Sequence, residues 1–241
     1  MTIGTLSNSN NIKEEKMNNE ITMEIWGDFA SFTRPESKVE RLTYPVITPS
    51  AARGVFSAVY SKPNEFYWQI RRIEVMNPIR YMSFKRNEVI NCKVGKGSNM
   101  KPILVEETRK HHEHRTQRQT IVLKDVRYRI TAEIVKRESF GGSLEQLISQ
   151  ANRRIENGKC FFQPCLGTRE FVCYFAPPSD DLPISETLDL GLMLYDVFDL
   201  HDFAFAQKAK PFVSMFHAQM KNGVIEIPDF DSDEVLKPER K

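Results

Sequence analysis

The chain has 241 residues, 40% of them hydrophobic and 27% charged, with a formal net charge of +2. This length is enough to bury a real core in one elaborated domain, or in one domain with a small appendage, but is short for two full domains. No apolar run approaches the ~20 residues of a membrane helix, and Cys92, Cys160, Cys165 and Cys173 lack C-x-x-C spacing, so the expectation is a cytoplasmic protein with reduced thiols and no zinc or other cofactor.

The small net charge hides an uneven distribution. Up to Ala176 the chain carries 28 basic and 19 acidic residues, a net +9, and after it 6 basic and 13 acidic residues, a net −7. A polyanion such as RNA gains counterion-release free energy on the N-terminal three quarters and little beyond it. Scattered lysines on a solvated surface account for the same numbers.

Residues 1–20 are a polar leader rich in Asn, Lys and Glu, without the apolar core of a secretory signal, and disorder is expected there; Met17 offers an alternative start. Apolar and polar residues alternate from Ile21 to Trp26, which predicts a strand. Thr48-Pro49 supplies an N-cap followed by proline at the first helical position. In the helix that follows, Ala52, Val55, Phe56 and Val59 form the buried stripe, Arg53, Ser57 and Tyr60 fall on a different face, and Lys62-Pro63 ends it. Tyr67–Val75 and Val122–Val135 read as strands, the second with Lys124, Arg127 and Arg129 along it. Between them, Pro78–Gln119 reads as a long polar insertion, too long for a mere connection and either functional or disordered.

Ser143 and Gln146 have capping-box spacing ahead of a second helix, whose apolar face is Leu144, Leu147, Ile148, Ala151 and Ile155 and which Gly158 closes. Arg169–Phe175 is a further strand. The order βαββαβ is that of a ferredoxin-like α+β domain, expected over residues 21–176. After the breaker-rich linker Pro177–Pro183, strand-like segments within 184–230 read as a small C-terminal β appendage, and 231–241 as a tail.

Several phrases occur in a fixed order: WGDFASFTRPE (Trp26–Glu36), KVERLTYPVITPSAARGVFSAVYSKP (Lys38–Pro63), IRRIEVMNPIRY (Ile70–Tyr81), FKRNEV (Phe84–Val89), CLGTREF (Cys165–Phe171) and KNGVIEIP (Lys221–Pro228). Together they resemble the CRISPR-associated Cas five family of the RAMP superfamily, type I-C branch. The resemblance implies a ferredoxin-like fold and a subunit that holds the 5′ end of the CRISPR RNA within the Cascade complex, beside its backbone and large subunits. In this branch it also implies an endoribonuclease that cuts the precursor RNA. The alternative is a Cascade subunit that only binds the RNA end.

For the RNA contact, Arg34, Lys38 and Arg41 fall in a loop between strand and helix, Arg53 opens the helix and Lys62 ends it. Lys85, Arg86, Arg115, Arg118 and Arg169 lie in or beside loops. Cations neutralise phosphates, and Phe29, Phe32, Phe84 and Tyr81 either stack on unpaired bases or fill the core. Gly141-Gly142 and Leu166-Gly167 let a backbone approach phosphate, though glycine at such places needs no ligand.

Metal-independent RNA cleavage needs a base for the 2′-hydroxyl proton, an acid for the 5′-oxygen and a cation for the phosphorane. The resemblance assigns this chemistry to a tyrosine near the end of the first helix and to an adjacent Lys-His pair at the start of the second. Tyr60 matches the tyrosine. The pair is missing: its place falls at Gln146-Leu147 or, with gaps, near Gly142-Ser143, and no histidine lies between His114 and His201. His111, His112 and His114 form an H-H-x-H cluster that either brings an imidazole to the scissile phosphate, binds a metal, or is a solvated loop; as a metal site it is incomplete, with Glu113 its nearby carboxylate. Lys62 and Lys136 are candidate substitute cations, and His217 in its apolar run reads as structural.

Overall fold

The computed structural model describes residues 19–37, 40–89, 93–94, 101–102, 115–202 and 211–239. The leader, Lys38, Cys92 and the His111–His114 cluster therefore lie outside the described residues.

The architecture is mixed α+β and mostly antiparallel. Its spine is the 22-residue strand β7 (Arg115–Lys136). Strand β1 (Glu20–Ala30) runs antiparallel along one side of it, from Glu20 opposite Glu133 to Ala30 opposite Leu123. On the other side, β3 (Phe66–Val75) pairs with the second half of β7, and β4 (Tyr81–Val89) with the first half, from Tyr81 opposite Leu123 to Val89 opposite Arg115. A short β2 (Arg41–Leu42) lies parallel to β7 at Thr120 and Ile121. β8 (Tyr174–Ala176) covers the outer edge of β1 and β11 (Val224–Glu226) that of β3, so the main order is β11-β3-β7-β1-β8. β5 (Lys93–Val94) and β6 (Lys101–Pro102) pair with each other. A separate sheet joins β9 (Leu188–Asp196), β10 (Ser214–Met220) and β12 (Val235–Leu236) in the order β12-β10-β9.

Two helices pack on the main sheet and touch each other. Helix α1 (Pro49–Val59) begins where the Thr48 hydroxyl accepts from the Ala51 amide at 3.3 Å, with Pro49 in its first turn. It buries Ala52, Val55, Phe56 and Val59, and Phe56 meets Trp68 of β3 at 4.9 Å between ring centroids. Helix α2 (Leu144–Glu156) starts at Ser143, whose hydroxyl accepts from the Gln146 amide at 3.4 Å, and buries Leu147, Ala151 and Ile155. Neither helix is long and apolar enough to cross a membrane.

Four features differ from the sequence reading. Residues 81–89 and 115–119, taken as insertion, belong to a ribbon in which β4 pairs with 115–123 of β7. The ribbon departs at Asp125, where φ is 53°, and the Asn77 side chain donates to the Asp125 carbonyl at 2.8 Å. Its polar composition hid it, because a ribbon flanked by few neighbours need not alternate cleanly. Residues 169–173, expected as strand, are mostly turn, and β8 begins only at Tyr174. β11, expected in the appendage, pairs with β3, and β12 falls in the expected tail. Tyr60, expected on a helix face other than the buried stripe, is a buried residue beyond the last turn of α1.

At Gly167 close approach of another backbone dictates glycine. Gly167 has φ +88°, and a Cβ there would stand 1.9 Å from the Ser31 carbonyl oxygen. The amide of Ser31 donates to the Leu166 carbonyl at 3.1 Å, so the C-L-G-T turn is bound directly to the end of β1.

Candidate active site and nucleic-acid interface

At Tyr60 the chain turns from helix to extended backbone, with φ −149° and ψ 122°. Its amide still donates to the Phe56 carbonyl, and its own carbonyl accepts from the Trp68 indole at 2.7 Å. The ring lies 5.3 Å from Phe66 and 6.4 Å from Phe161 between centroids, the latter stacked, and the residue is 2% exposed. The Lys62 ammonium acts on the phenol as a nearby positive charge and reaches both Glu65 carboxylate oxygens, at 3.0 and 2.9 Å.

Arg154 of α2 comes from the other side. Its guanidinium is 5.7 Å from the Tyr60 ring centre and 4.1 Å from that of Phe161, and it donates to the Val59 carbonyl at 3.3 Å. Burial pushes the Tyr60 phenol above its ordinary pKa; Lys62 and Arg154 pull against this, Glu65 adds to it, and the net direction is up. At neutral pH the hydroxyl is therefore protonated, which suits it to donate a hydrogen bond or a proton. Neither Arg154 nor Phe161 was singled out in the sequence. Their signal, an arginine in the last turn of α2 and aromatics at 161–162 after Gly158, carries no motif.

The cations expected to meet phosphate divide into two sets. Arg53 is held by Asp196, with Nε to Oδ2 at 2.5 Å and Nη2 to Oδ1 at 3.0 Å; it belongs to the contact between α1 and β9 and not to an open surface. Arg86 is held bidentately by Glu170, at 2.5 and 2.8 Å. Arg34 lies 3.6 Å from Glu36 and over the Tyr44 ring, Arg41 lies 3.7 Å from Glu88, and Lys62 is on Glu65. Lys85, Arg118 and Arg169 make no ion pair among the described residues, and Lys85 and Arg169 are exposed. Residues 80–89 and 115–124 together hold Arg80, Lys85, Arg86, Arg115, Arg118 and Lys124 against the one carboxylate Glu88, so the ribbon is the electropositive feature. A pocket of about 450 Å³ on the face of β1 bearing Glu24 and Trp26 has the opposite sign, since Glu24, Asp28 and Asp125 line it with Arg127.

Of the four aromatics, Phe32 is buried against Tyr128, Phe29 rests on Phe171, and Phe84 packs on the core. Tyr81, at 55% exposure, is the one available for stacking.

The family model described as CRISPR-associated protein (Cas_Cas5) matches residues 20–228. The chain belongs to the Cas5d family. Among its relatives is the CRISPR pre-crRNA endoribonuclease Cas5d of Mannheimia succiniciproducens, 41% identical over 235 residues, which span 92% of this chain and all of the relative. The protein of the same name from Thermus thermophilus is 38% identical over 220 residues, 86% of this chain and 91% of the relative. In fold, the chain resembles a crystal structure of a CRISPR-associated protein, with a TM-score of 0.61 at 21% identity, covering 90% of this chain and 96% of that one.

In this Cas5d chain the place expected for the Lys-His pair is a helix cap. Ser143 accepts from the Gln146 amide and donates to Glu145, while Gly142 gives its carbonyl to Lys136 at 2.8 Å. Lys136 also lies over the Phe140 ring. His217 sits on an exposed position of β10, 3.5 Å from Asp189, and not in an apolar environment. His201 pairs with Asp231 at 2.9 Å. Among the described residues no group of three His, Cys, Asp or Glu side chains forms a metal site.

Proposed function

We propose that this chain is the type I-C Cascade subunit that grips the 5′ end of the CRISPR RNA and cuts its precursor without a metal, remaining bound to the product. The observation that carries the reading is the Tyr60 phenol, buried, protonated and set against two cations, in a chain similar along most of its length to precursor endoribonucleases. The strand order β3-β7-β1-β8, with two crossover helices on the sheet, supports a ferredoxin-like domain over 21–176. The sheet of β9, β10 and β12 supports an appended C-terminal unit.

In the cleavage step the 2′-oxygen bonds to phosphorus and the bond from phosphorus to the 5′-oxygen breaks. Tyr60 donates to the departing 5′-oxygen, because a phenol held above its ordinary pKa is a poor base and a competent donor. Lys62 returns a proton to it and, through Glu65, is fixed in place. The 2′-hydroxyl proton goes to an imidazole of His111, His112 or His114, which takes the role of the missing pair. The basic ribbon, with Lys85 and Arg118, follows the RNA backbone, and Arg169 extends it.

The test is incubation of the purified protein with its cognate repeat RNA in chelator. Tyr60→Phe removes one hydroxyl and keeps the ring; it is expected to slow cleavage by ~10²- to 10⁴-fold and to leave RNA affinity nearly unchanged. A second reading, a subunit that binds without cutting, is favoured by the absent Lys-His pair. Tight binding with no cleavage by the unmodified protein would establish it.

A further inference from the structure

We infer that Arg154 and Phe161 form a nucleotide clamp beside Tyr60, in which Arg154 takes the scissile phosphate and Phe161 stacks on the adjoining base. This rests on the processing function proposed above and supplies the cation that the missing pair leaves vacant.

Three observations converge on it. First, Arg154 is a cation without a carboxylate partner among the described residues, whereas Arg53 has Asp196, Arg71 has Glu133, Arg86 has Glu170 and Arg129 has Glu74. A guanidinium with spare donors at a protein surface fits phosphate geometry bidentately. Second, its position is fixed. The Val59 carbonyl holds one nitrogen, and the rings of Tyr60 and Phe161 flank the group, so its remaining donors stand over the same aromatic floor as the phenol. Third, Phe161 is an aromatic left 53% exposed although its backbone is tied down, its amide donating to the Ala58 carbonyl at 2.8 Å. One face of the ring is covered by Arg154, and the exposed remainder is the kind of rigid platform on which unpaired bases stack.

The arrangement orders the reacting groups. A base on Phe161 brings its phosphate toward Arg154, whose charge offsets the charge that develops on the nonbridging oxygens, and Tyr60 then lies within the same cluster to protonate the leaving oxygen. The 2′-hydroxyl proton goes to the loop imidazole named above, so the RNA and this chain's own side chains supply every group the step needs.

The experiment compares unmodified protein with Tyr60→Phe, Arg154→Ala, Arg154→Lys and Phe161→Ala in single-turnover cleavage of the cognate repeat RNA in chelator. Binding is measured on the same RNA made uncleavable by a 2′-deoxy nucleotide at the scissile position. Arg154→Ala is expected to cut ~10²- to 10³-fold more slowly, as for loss of one oxyanion donor, with Arg154→Lys recovering part of the rate. Phe161→Ala is expected to weaken binding by ~5- to 100-fold, the worth of one stacked base. A pH–rate profile separates this from a packing defect. The phenol is faced by Lys62, Glu65 and Arg154, so removing Arg154 moves its limb to higher pH, whereas partial unfolding lowers the rate equally at all pH values. If Tyr60→Phe is inactive but Arg154→Ala cuts at the unmodified rate, or Phe161→Ala binds normally, the clamp is overturned and the processing function stands. An unmodified protein that binds the RNA and never cuts it overturns both.

Discussion

The ion pair between Arg53 and Asp196 makes the strongest stability test, because a residue that reads as an RNA contact is instead spent inside the protein. The side chains are 14% and 2% exposed, and they join α1 to β9 across the boundary between the two sheets. Asp196 also accepts from the Val197 and Phe198 amides at 2.7 and 3.0 Å. Asp196→Ala leaves a nearly buried guanidinium without a counter-charge, and breaking such a pair costs about 3–5 kcal/mol. For a chain of this size each kcal/mol is about 2–4 °C, so the expected fall in Tm is roughly 6–20 °C. Arg53→Ala is expected at the lower end, since the two amides go on satisfying the carboxylate. Replacing both, as Arg53→Met with Asp196→Leu, is expected to recover most of the loss, because a buried pair exchanged for apolar groups is often near neutral. Thermal denaturation of the four proteins measures this, alongside the salt dependence of RNA binding. If Arg53→Ala keeps its Tm while the log-log salt slope flattens by ~0.7, the value of one phosphate contact on single strands, Arg53 faces RNA and the reasoning fails.

The helices were legible from local chemistry, because caps and apolar stripes are short-range signals. Thr48-Pro49 and Ser143 start α1 and α2 where the sequence places them; α1 buries its whole stripe and α2 buries Leu147, Ala151 and Ile155 of its own. The strands β1, β3 and β7 were legible in place but not in extent, and β2, β4, β5 and β6 were not read at all. β7 continues past the sheet into the ribbon, and nothing in the polar run Arg115–Gln119 distinguishes a paired strand from a loop, since its partner lies some thirty residues earlier. β11 was read as appendage because three residues carry no partner information; only pairing with Arg72, Ile73 and Glu74 places it on the main sheet.

The site was legible at its one motif residue and no further. Tyr60 was found by resemblance, but helical periodicity was extended one residue too far and put it on a face away from the buried stripe; the helix ends at Val59, early enough to let the ring turn inward onto Phe66. Arg154 and Phe161 reach it from α2 and the turn after it, about a hundred residues later, and such convergence is a property of packing that no spacing encodes. The arginines were legible as charge but not as free charge, because their partners Asp196 and Glu170 are equally remote in sequence.

Three further outcomes are expected. Gly167→Ala would drive a Cβ into the Ser31 carbonyl at a φ of +88°, and a loss of about 3 kcal/mol or more is expected in chemical denaturation; an unchanged midpoint would mean that the turn does not sit on β1. Changing Lys85 and Arg118 of the ribbon together with Arg169 of the neighbouring turn to Ala should flatten the salt slope of RNA binding by about 2 units, whereas Arg86→Ala, already bound to Glu170, should change it far less. The last outcome concerns alkali. Burial, with Asp231 and Asp229 adding to it and Arg137 opposing it, pushes the Tyr67 phenol up to about 12, and burial pushes Tyr128 and Tyr195 higher still. A phenol whose folded pKa is raised holds its proton more tightly than in the unfolded chain, where it ionises near 10. Its contribution is therefore whole below pH ~10 and is lost as pH rises toward 12, so the denaturation midpoint should be flat up to about 10 and fall steadily beyond it. Tyrosinate absorbance should lag in the folded protein and complete only on unfolding; if all 7 tyrosines titrate together near 10 while the protein stays folded, these phenols are not buried as described.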